Sequence, residues 1–344
     1  MKVRVGLVGL GEDWERRHRP ALRALSDRFE VRAVYEHVAQ RAEMAAHDFG
    51  AQAVEGYHAL ATREDVDAIL MLGDEWYGAL PIFAACDAGK AVYCSIGLGA
   101  ELPLAERLTR RVEEAGVAFM AEFSRRHAAA TLRLKELIAT RLGQPRLLFC
   151  HQRRVAERVA PFGVRPSAAR AATIQLVDLI DWCRYVVGAP PTSLVGIAHA
   201  GDSGADDYQM LSLDFTPAGG LQGSGAVAQI STGSYVPSGW QEALGFRAPP
   251  HLQVSCENGL AFVDLPAGIV WFDSAGRHQE SLDNERPVGE MLLASFYRGV
   301  TSLVRDAGSL RDTFDALRIV MLARESQRQG RRMPIKCPHD GARE

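Results

Sequence analysis

The 344-residue sequence has no C-x-x-C pair among its six cysteines, no excess of charge of one sign, and no apolar run long enough to cross a bilayer. Each absence removes a class of function. Cys86, Cys94, Cys150, Cys183, Cys256 and Cys337 are scattered, a pattern that is neither a zinc-site spacing nor a dense disulfide framework. They read as free thiols in a reducing cytoplasm. With 39 Lys and Arg against 42 Asp and Glu, the net charge of -3 supplies no global basic field, so neither nucleic acid nor a membrane surface is an expected partner. Local basic runs such as HQRR and RQGRR read as solvated faces. The opening stretch MKVRVGLVGLG enters a strand at once and lacks the cationic n-region and long apolar h-region of a secretory signal, so a cytoplasmic protein is expected.

What is present is a hydrophobic content of 47%, enough to supply a core for each of two domains. The first half alternates buried-type strands (KVRVGLVGLG, EVRAVYE, VDAILMLG, AVYCS, VAFMAEF) with helical patterns (HRPALRALSDRF, VAQRAEMAAHDFGA, LPIFAACDAGK, LAERLTRRVEEAG). This predicts an α/β domain over residues 1–125, a Rossmann-type doubly wound parallel sheet with ligands at the carboxyl ends of its strands. From Pro145 onward, long alternating segments with turns rich in glycine, proline and aspartate predict a mostly antiparallel sheet. An α+β domain over 126–330 follows, with closing helices over 288–330 packing back on the core and a polar tail at 331–344.

Gly9 and Gly11 stand as Gly-x-Gly at the end of the first strand, where the backbone can approach a pyrophosphate. Trp14 occupies the place of the third glycine, so a changed turn or changed helix packing is expected there. Glu36 ends the second strand, where a carboxylate can accept hydrogen bonds from an adenosine ribose and repel a 2′-phosphate. The expected cofactor is NAD, with NADP disfavoured.

With GLVGLG, VDAILML, DAGKAVYC, AGVAFMAEFSRRH, VDLIDWCRYVVG and LQVSCENGLAFVDLP in view, the chain resembles the Gfo/Idh/MocA family (glucose-fructose oxidoreductase, inositol dehydrogenase and rhizopine catabolism) over almost its whole length. The resemblance implies an NAD-dependent oxidoreductase acting on CH–OH groups of a sugar, cyclitol or related polyol. It also implies an open-faced second sheet that lines the substrate cleft on one side and joins subunits on the other, giving a homo-oligomer, a dimer or tetramer. It implies, too, where this chain departs. The family's Glu-Lys-Pro tripeptide matches Ser95, Ile96 and Gly97, so the lysine that assists proton transfer is an isoleucine. Its helical aspartate and histidine match Ile174 and Asp178, and its Thr-Pro dipeptide matches Gly73 and Asp74.

Loss of one electrostatic catalytic group typically costs on the order of 10²–10³ in rate, so substitutes are sought among residues expected near the same cleft. Asp178 is the candidate base, with Glu122 at the end of the VAFMAE strand or His151 on LLFCHQRR as helper. Gly9, Gly11, Glu36, Gly73, Asp74 and Ser95 are the candidate cofactor contacts, and Arg125, His127, Arg153, Arg165 and Arg170 the candidate substrate contacts; no metal site is expected. Each candidate has a structural alternative: strand histidines are commonly hydrogen-bonded residues of the fold, and Glu122 can pair with Arg125 or Arg126. The segment VAERVAPFGVRPSAARAAT reads equally as a lid or as a solvated connection. Two other functions stay open: a catalytically silent sensor or scaffold that binds sugar or NAD, and a lyase or hydrolase that uses tightly held NAD transiently.

Overall fold

The computed structural model describes residues 2–73, 77–95, 101–155, 168–200, 206–217, 219–221, 223–302 and 308–336. Asp74, Ile96, Gly97, Arg165, Cys337 and most of the polar tail lie outside the described residues. The chain divides into two compact units, residues 1–127 with 286–315 and residues 128–285 with 316–344.

In the first unit β1 (Val3–Val8), β2 (Phe29–Tyr35), β3 (Gln52–Ala53), β4 (Ala68–Met71), β5 (Ala91–Ser95) and β6 (Phe119–Glu122) form one sheet in the order β3-β2-β1-β4-β5-β6. Every pair is parallel, the doubly wound arrangement that the alternating strand and helix patterns predict. Continuous apolar runs make these strands because both faces are covered: all four residues of β4 are buried. Helix Val288–Thr301, although late in the sequence, belongs to this unit. Its Leu292, Leu293 and Phe296 join a core cluster with Val3, Val5, Leu7 and Tyr93, and the Phe296 ring meets the edge of Tyr93 at 5.6 Å. The closing helical segment is therefore divided between the units, and its first part completes the first unit.

The second unit carries β7 (Pro145–Val155), β8 (Ser193–Ala200), β9 (Asp206–Asp214), β10 (Val227–Val236), β11 (Leu252–Cys256), β12 (Leu260–Asp264), β13 (Gly268–Asp273), β14 (Gly276–Ser281) and β15 (Met333–Pro334). The order is β14-β13-β12-β11-β7-β10-β9-β8-β15, with β7 and β10 parallel and the other pairs antiparallel. The β13–β14 hairpin is absent from the sequence reading, because β14 (GRHQES) is polar on both faces and shows no alternation.

The faces of this sheet follow from its contacts. Thr232 donates to Gln175 of helix Ala168–Val187 at 2.9 Å. Gly196 lies against Ala323, and its N–H donates to Ser326 Oγ at 3.0 Å, both on helix Gly308–Gln329. Arg133 of helix Ala129–Leu137 covers the Trp271 ring. Strand register puts Thr232, Gly196 and Trp271 on one face of the sheet. Leu147, Ile197 and Phe272 point the other way, and are 44%, 53% and 41% exposed.

Candidate nucleotide and substrate sites

The turn after β1 is built by close approach. Gly9 and Gly11 take φ of +63° and +64°, and a Cβ on Gly11 would stand 2.1 Å from the Leu72 carbonyl oxygen at the end of β4. Gly73 faces the same turn, where a Cβ would lie 3.2 Å from the Gly11 nitrogen. The Gly9 N–H donates to the Tyr35 carbonyl at 2.9 Å and the Leu72 N–H to Val8 at 3.0 Å, so the turn is moored to both neighbouring strands. Three of the expected cofactor contacts are thereby brought together at the carboxyl edge of the sheet. A side chain on Gly11 would collide with the Leu72 carbonyl, so glycine there is what lets the turn seat against the end of β4, at the edge where a dinucleotide pyrophosphate binds in sheets of this kind.

Trp14 does not close the helix against the sheet as a glycine would. Its side chain is buried and meets Phe49 at 6.0 Å between ring centres. The chain passes it in a wide turn, in which the N–H groups of both Arg17 and His18 reach the Asp13 carbonyl, before helix Arg19–Ala24 begins. The turn is then fastened electrostatically. His18 Nε2 lies 2.8 Å from Glu122 Oε2, the Tyr93 hydroxyl donates to the same oxygen at 2.9 Å, and Arg17 pairs with Oε1. Tyr93, His18 and Glu122 are all buried.

Burial alone would raise the pKa of Glu122, but the hydrogen bond and charge of His18, the Arg17 guanidinium and the Tyr93 hydroxyl hold it down at about 2. Burial first, then the neighbouring carboxylate, pushes the Tyr93 phenol well up, so it remains a donor. Glu122 is therefore a fixed anion. This corrects its expected part as a catalytic helper: a carboxylate tied to three inward donors carries no proton to or from a substrate at neutral pH. It does not pair with Arg125 or Arg126 either. Arg126 bonds Asp312 at 2.8 Å and lies over the Phe123 ring.

Ser95 sits beside Glu122 in register and is half-buried. Arg125 and His127 lie on the turn Ser124–His127, and His127 lines a cavity of about 260 Å³ with Phe296, Ser309 and Asp312. Burial, followed by the charges of Arg126 and Arg298, pushes His127 down to about 4, so it is neutral there.

Glu36 follows β2 as expected, but its side chain is fully buried. Oε2 accepts the Leu10 N–H at 2.9 Å, from the middle of the Gly-x-Gly turn, and Oε1 accepts the His37 N–H at 3.1 Å. His37 Nδ1 lies 2.6 Å from Oε1.

The second unit separates residues that the sequence reading grouped. Asp178 and Gln175 share helix Ala168–Val187, three residues apart and hence on one helical face, and Gln175 bonds Thr232 on the helix-covered face of the sheet. His151 belongs to the opposite face. It is paired with Ser231, the neighbour of Thr232, and its Nδ1 lies 2.7 Å from Ser231 Oγ. Arg153, two residues on, shares that face, with a 3.4 Å contact to the Arg247 carbonyl. The expected joint site of Asp178, His151 and Arg153 is thus corrected by the two-residue period of β7. Arg170 lies on the first turn of the same helix as Asp178. Gln175 and Thr232 were not singled out from sequence; the spacing of Gln175 from Asp178 was the available signal. Arg17 and His18 had none, since their partner is 105 and 104 residues away.

Among the described residues no group of three or more His, Cys, Asp or Glu is placed to hold a metal ion, and no helix is long and apolar enough to cross a membrane.

Residues 3–123 match the Gfo/Idh/MocA family model, described as an oxidoreductase family with an NAD-binding Rossmann fold. The chain is 37% identical over 126 residues, 35% of its own length and 36% of the relative's, to dTDP-3,4-didehydro-2,6-dideoxy-alpha-D-glucose 3-reductase of Actinomadura kijaniata. It is 29% identical over 184 residues to inositol 2-dehydrogenase 3 of Saccharopolyspora erythraea, 53% of this chain and 54% of that one. The matches thus span about a third to a half of these relatives. Levoglucosan dehydrogenase, solved with NADH and levoglucosan, shares the fold over 98% of this chain and 100% of its own, with a TM-score of 0.82 and 16% identity.

Proposed function

With its residues 3–123 belonging to the Gfo/Idh/MocA family of NAD-binding oxidoreductases, we propose that this protein transfers hydride between NAD and a hydroxyl-bearing carbon of a sugar, cyclitol or related polyol. The observation that carries this reading is the glycine turn seated on Leu72 and Gly73 at the carboxyl edge of a 3-2-1-4-5-6 parallel sheet. Bound NAD would accept or donate the hydride. The chain's own residues hold the pyrophosphate at the backbone of Gly9–Gly11 and fix that turn through Glu36. Asp178, on the helix-covered face of the second sheet, takes the hydroxyl proton, and Gln175 orients the substrate hydroxyls. The relatives named for inositol and a deoxysugar support the substrate class.

Calorimetric titration of nucleotide-stripped protein with NADH is the test, followed by NAD reduction in the presence of a polyol and sugar panel. Micromolar NADH binding with substrate-dependent reduction is the expected result, and absence of NADH binding would remove the proposal. The replacement of the family's lysine by Ile96 and of its aspartate by Ile174 favours a second reading, a binding protein without turnover. That reading gains if NADH binds but no polyol reduces NAD.

The face of the second sheet opposite its helices carries the partly exposed side chains of Leu147 on β7, Ile197 on β8 and Phe272 on β13. It serves as the self-association surface of a dimer or tetramer in this reading. Light scattering should find an oligomer for the native protein and a folded monomer for Ile197→Asp with Phe272→Asp; a monomeric native protein would contradict it.

A further inference from the structure

A second cavity lies at the far edge of the first sheet, away from the glycine turn. β6 is the edge strand, with β5 and β4 between it and β1. Phe119 and Phe123 there bound a space of about 260 Å³ with Phe296 and Gly299 of helix Val288–Thr301 and Ser309 and Asp312 of helix Gly308–Gln329. All of them belong to the first unit. Ligand pockets commonly measure about 300–1,000 Å³, so this one suits a compact molecule and not a second coenzyme.

Two features mark the space as one kept open. Gly299 stands in the last turn of its helix, where glycine is a poor helix former, and no neighbouring atom requires it: a Cβ there would meet nothing within 4 Å. A larger residue would project into the cavity. The polar lining is also unevenly bonded. Ser309 accepts the Ala121 N–H at 3.0 Å, and Arg126 is paired with Asp312 at 2.8 Å. His127 and Ser295, by contrast, line the cavity half-buried and make no hydrogen bond among the described residues. Polar groups so placed ordinarily have a partner.

The charge balance selects that partner. Ser295, Arg298 and Gly299 fall at i, i+3 and i+4, on one face of the helix. Arg298 makes no ion pair among the described residues, and its charge reaches His127 and helps to hold it neutral. Arg126 acts on His127 as well but is matched by Asp312, and Glu122 is held by Arg17, His18 and Tyr93. One positive charge is left beside two unbonded polar groups and phenylalanine walls.

We propose that this cavity is a binding site for a small monocarboxylate with a compact apolar body. His127 and Ser295 donate to the carboxylate, Arg298 supplies the opposite charge, and the phenylalanines cover the body. His127 thereby serves a ligand other than the polyol.

Calorimetric titration of the full chain with benzoate, benzamide and inorganic phosphate tests this, with thermal melts of each variant. Benzoate should bind with a Kd below about 1 mM. Benzamide, the uncharged analogue, and phosphate, which has no apolar body, should bind at least about tenfold more weakly. His127→Leu should weaken benzoate by at least about tenfold and Arg298→Glu by about threefold, the smaller figure because Arg298 is exposed and its charge is screened. Gly299→Leu should abolish benzoate binding and keep the melting temperature at or above the native value, since the leucine enters open space on a helix. Native protein that ignores benzoate, or that binds benzamide or phosphate as tightly, would overturn the proposal. Benzoate binding that survives Gly299→Leu in a folded protein would overturn it too, by placing the ligand elsewhere; if that variant does not fold, the His127→Leu titration decides.

Discussion

Glu122→Ala should lower the unfolding free energy by about 3–5 kcal/mol in urea denaturation, the range for breaking one partner out of a buried charge cluster. The substitution leaves Arg17, His18 and the Tyr93 hydroxyl facing a void where all three had an acceptor. Those donors come from the turn that replaces the third glycine and from the strand next to β6, so the loss spreads from the cluster to the seat of the glycine turn. Glu122→Gln separates charge from volume. It keeps the shape and one acceptor but removes the anion.

The pH dependence carries a sign that can be checked. Glu122 titrates near 2 when folded against an ordinary 4.5, so the unfolded chain takes up its proton first as pH falls. The stability it supplies is complete above pH 4.5 and fades as pH drops toward 2, by roughly 3 kcal/mol in all. His127 adds to the same trend in an adjoining window: held down at about 4 against an ordinary 6.5, it costs stability as pH falls from 6.5 to 4. Glu122→Gln should remove the lower part of the acid transition and keep the upper part. An acid-unfolding profile that the substitution leaves unchanged would refute the anchoring role.

Asp178→Asn is expected to reduce turnover by about 10²–10⁴, the usual worth of a positioned general base, while NADH binding stays within about twofold. On sequence grounds Asp178 is the base, with Glu122 or His151 as its helper. Glu122 is locked as an anion among its own partners, and His151 stands on the uncovered face of the second sheet with Ser231. Asp178 remains, on a helical face with Gln175 and with its Oδ1 buried. Steady-state kinetics with the best polyol from the screen would decide; full turnover in the variant would take Asp178 out of the mechanism. A proportional loss of NADH affinity would mark it as structural instead.

The first sheet was legible because a strand buried on both faces writes itself as an uninterrupted apolar run, and the helices between such runs keep their own period. The glycine turn was legible for a similar reason, since positive φ and a 2.1 Å approach leave only one residue type. The helper residues were not. Glu122 reads as an acid at a strand end whether its partners are solvent or Arg17 and His18, and those lie more than a hundred positions earlier. Likewise His151 was placed correctly on a strand, yet its face depends on whether Gln152 or His151 looks toward helix Ala168–Val187, a choice of one residue in register that local sequence does not encode.

The contribution of helix Val288–Thr301 to the first core bears on the order in which the molecule is made. Its Leu292, Leu293 and Phe296 arrive at a ribosome exit only after the entire second sheet, apart from β15, has been synthesised. The nucleotide-binding unit therefore waits, with part of the apolar side of Tyr93 and its neighbours uncovered, while another unit is built between its two halves. Its nascent chain is most exposed to chaperones and to mispairing during that interval, and a fragment ending near residue 127 would carry the same bare surface permanently.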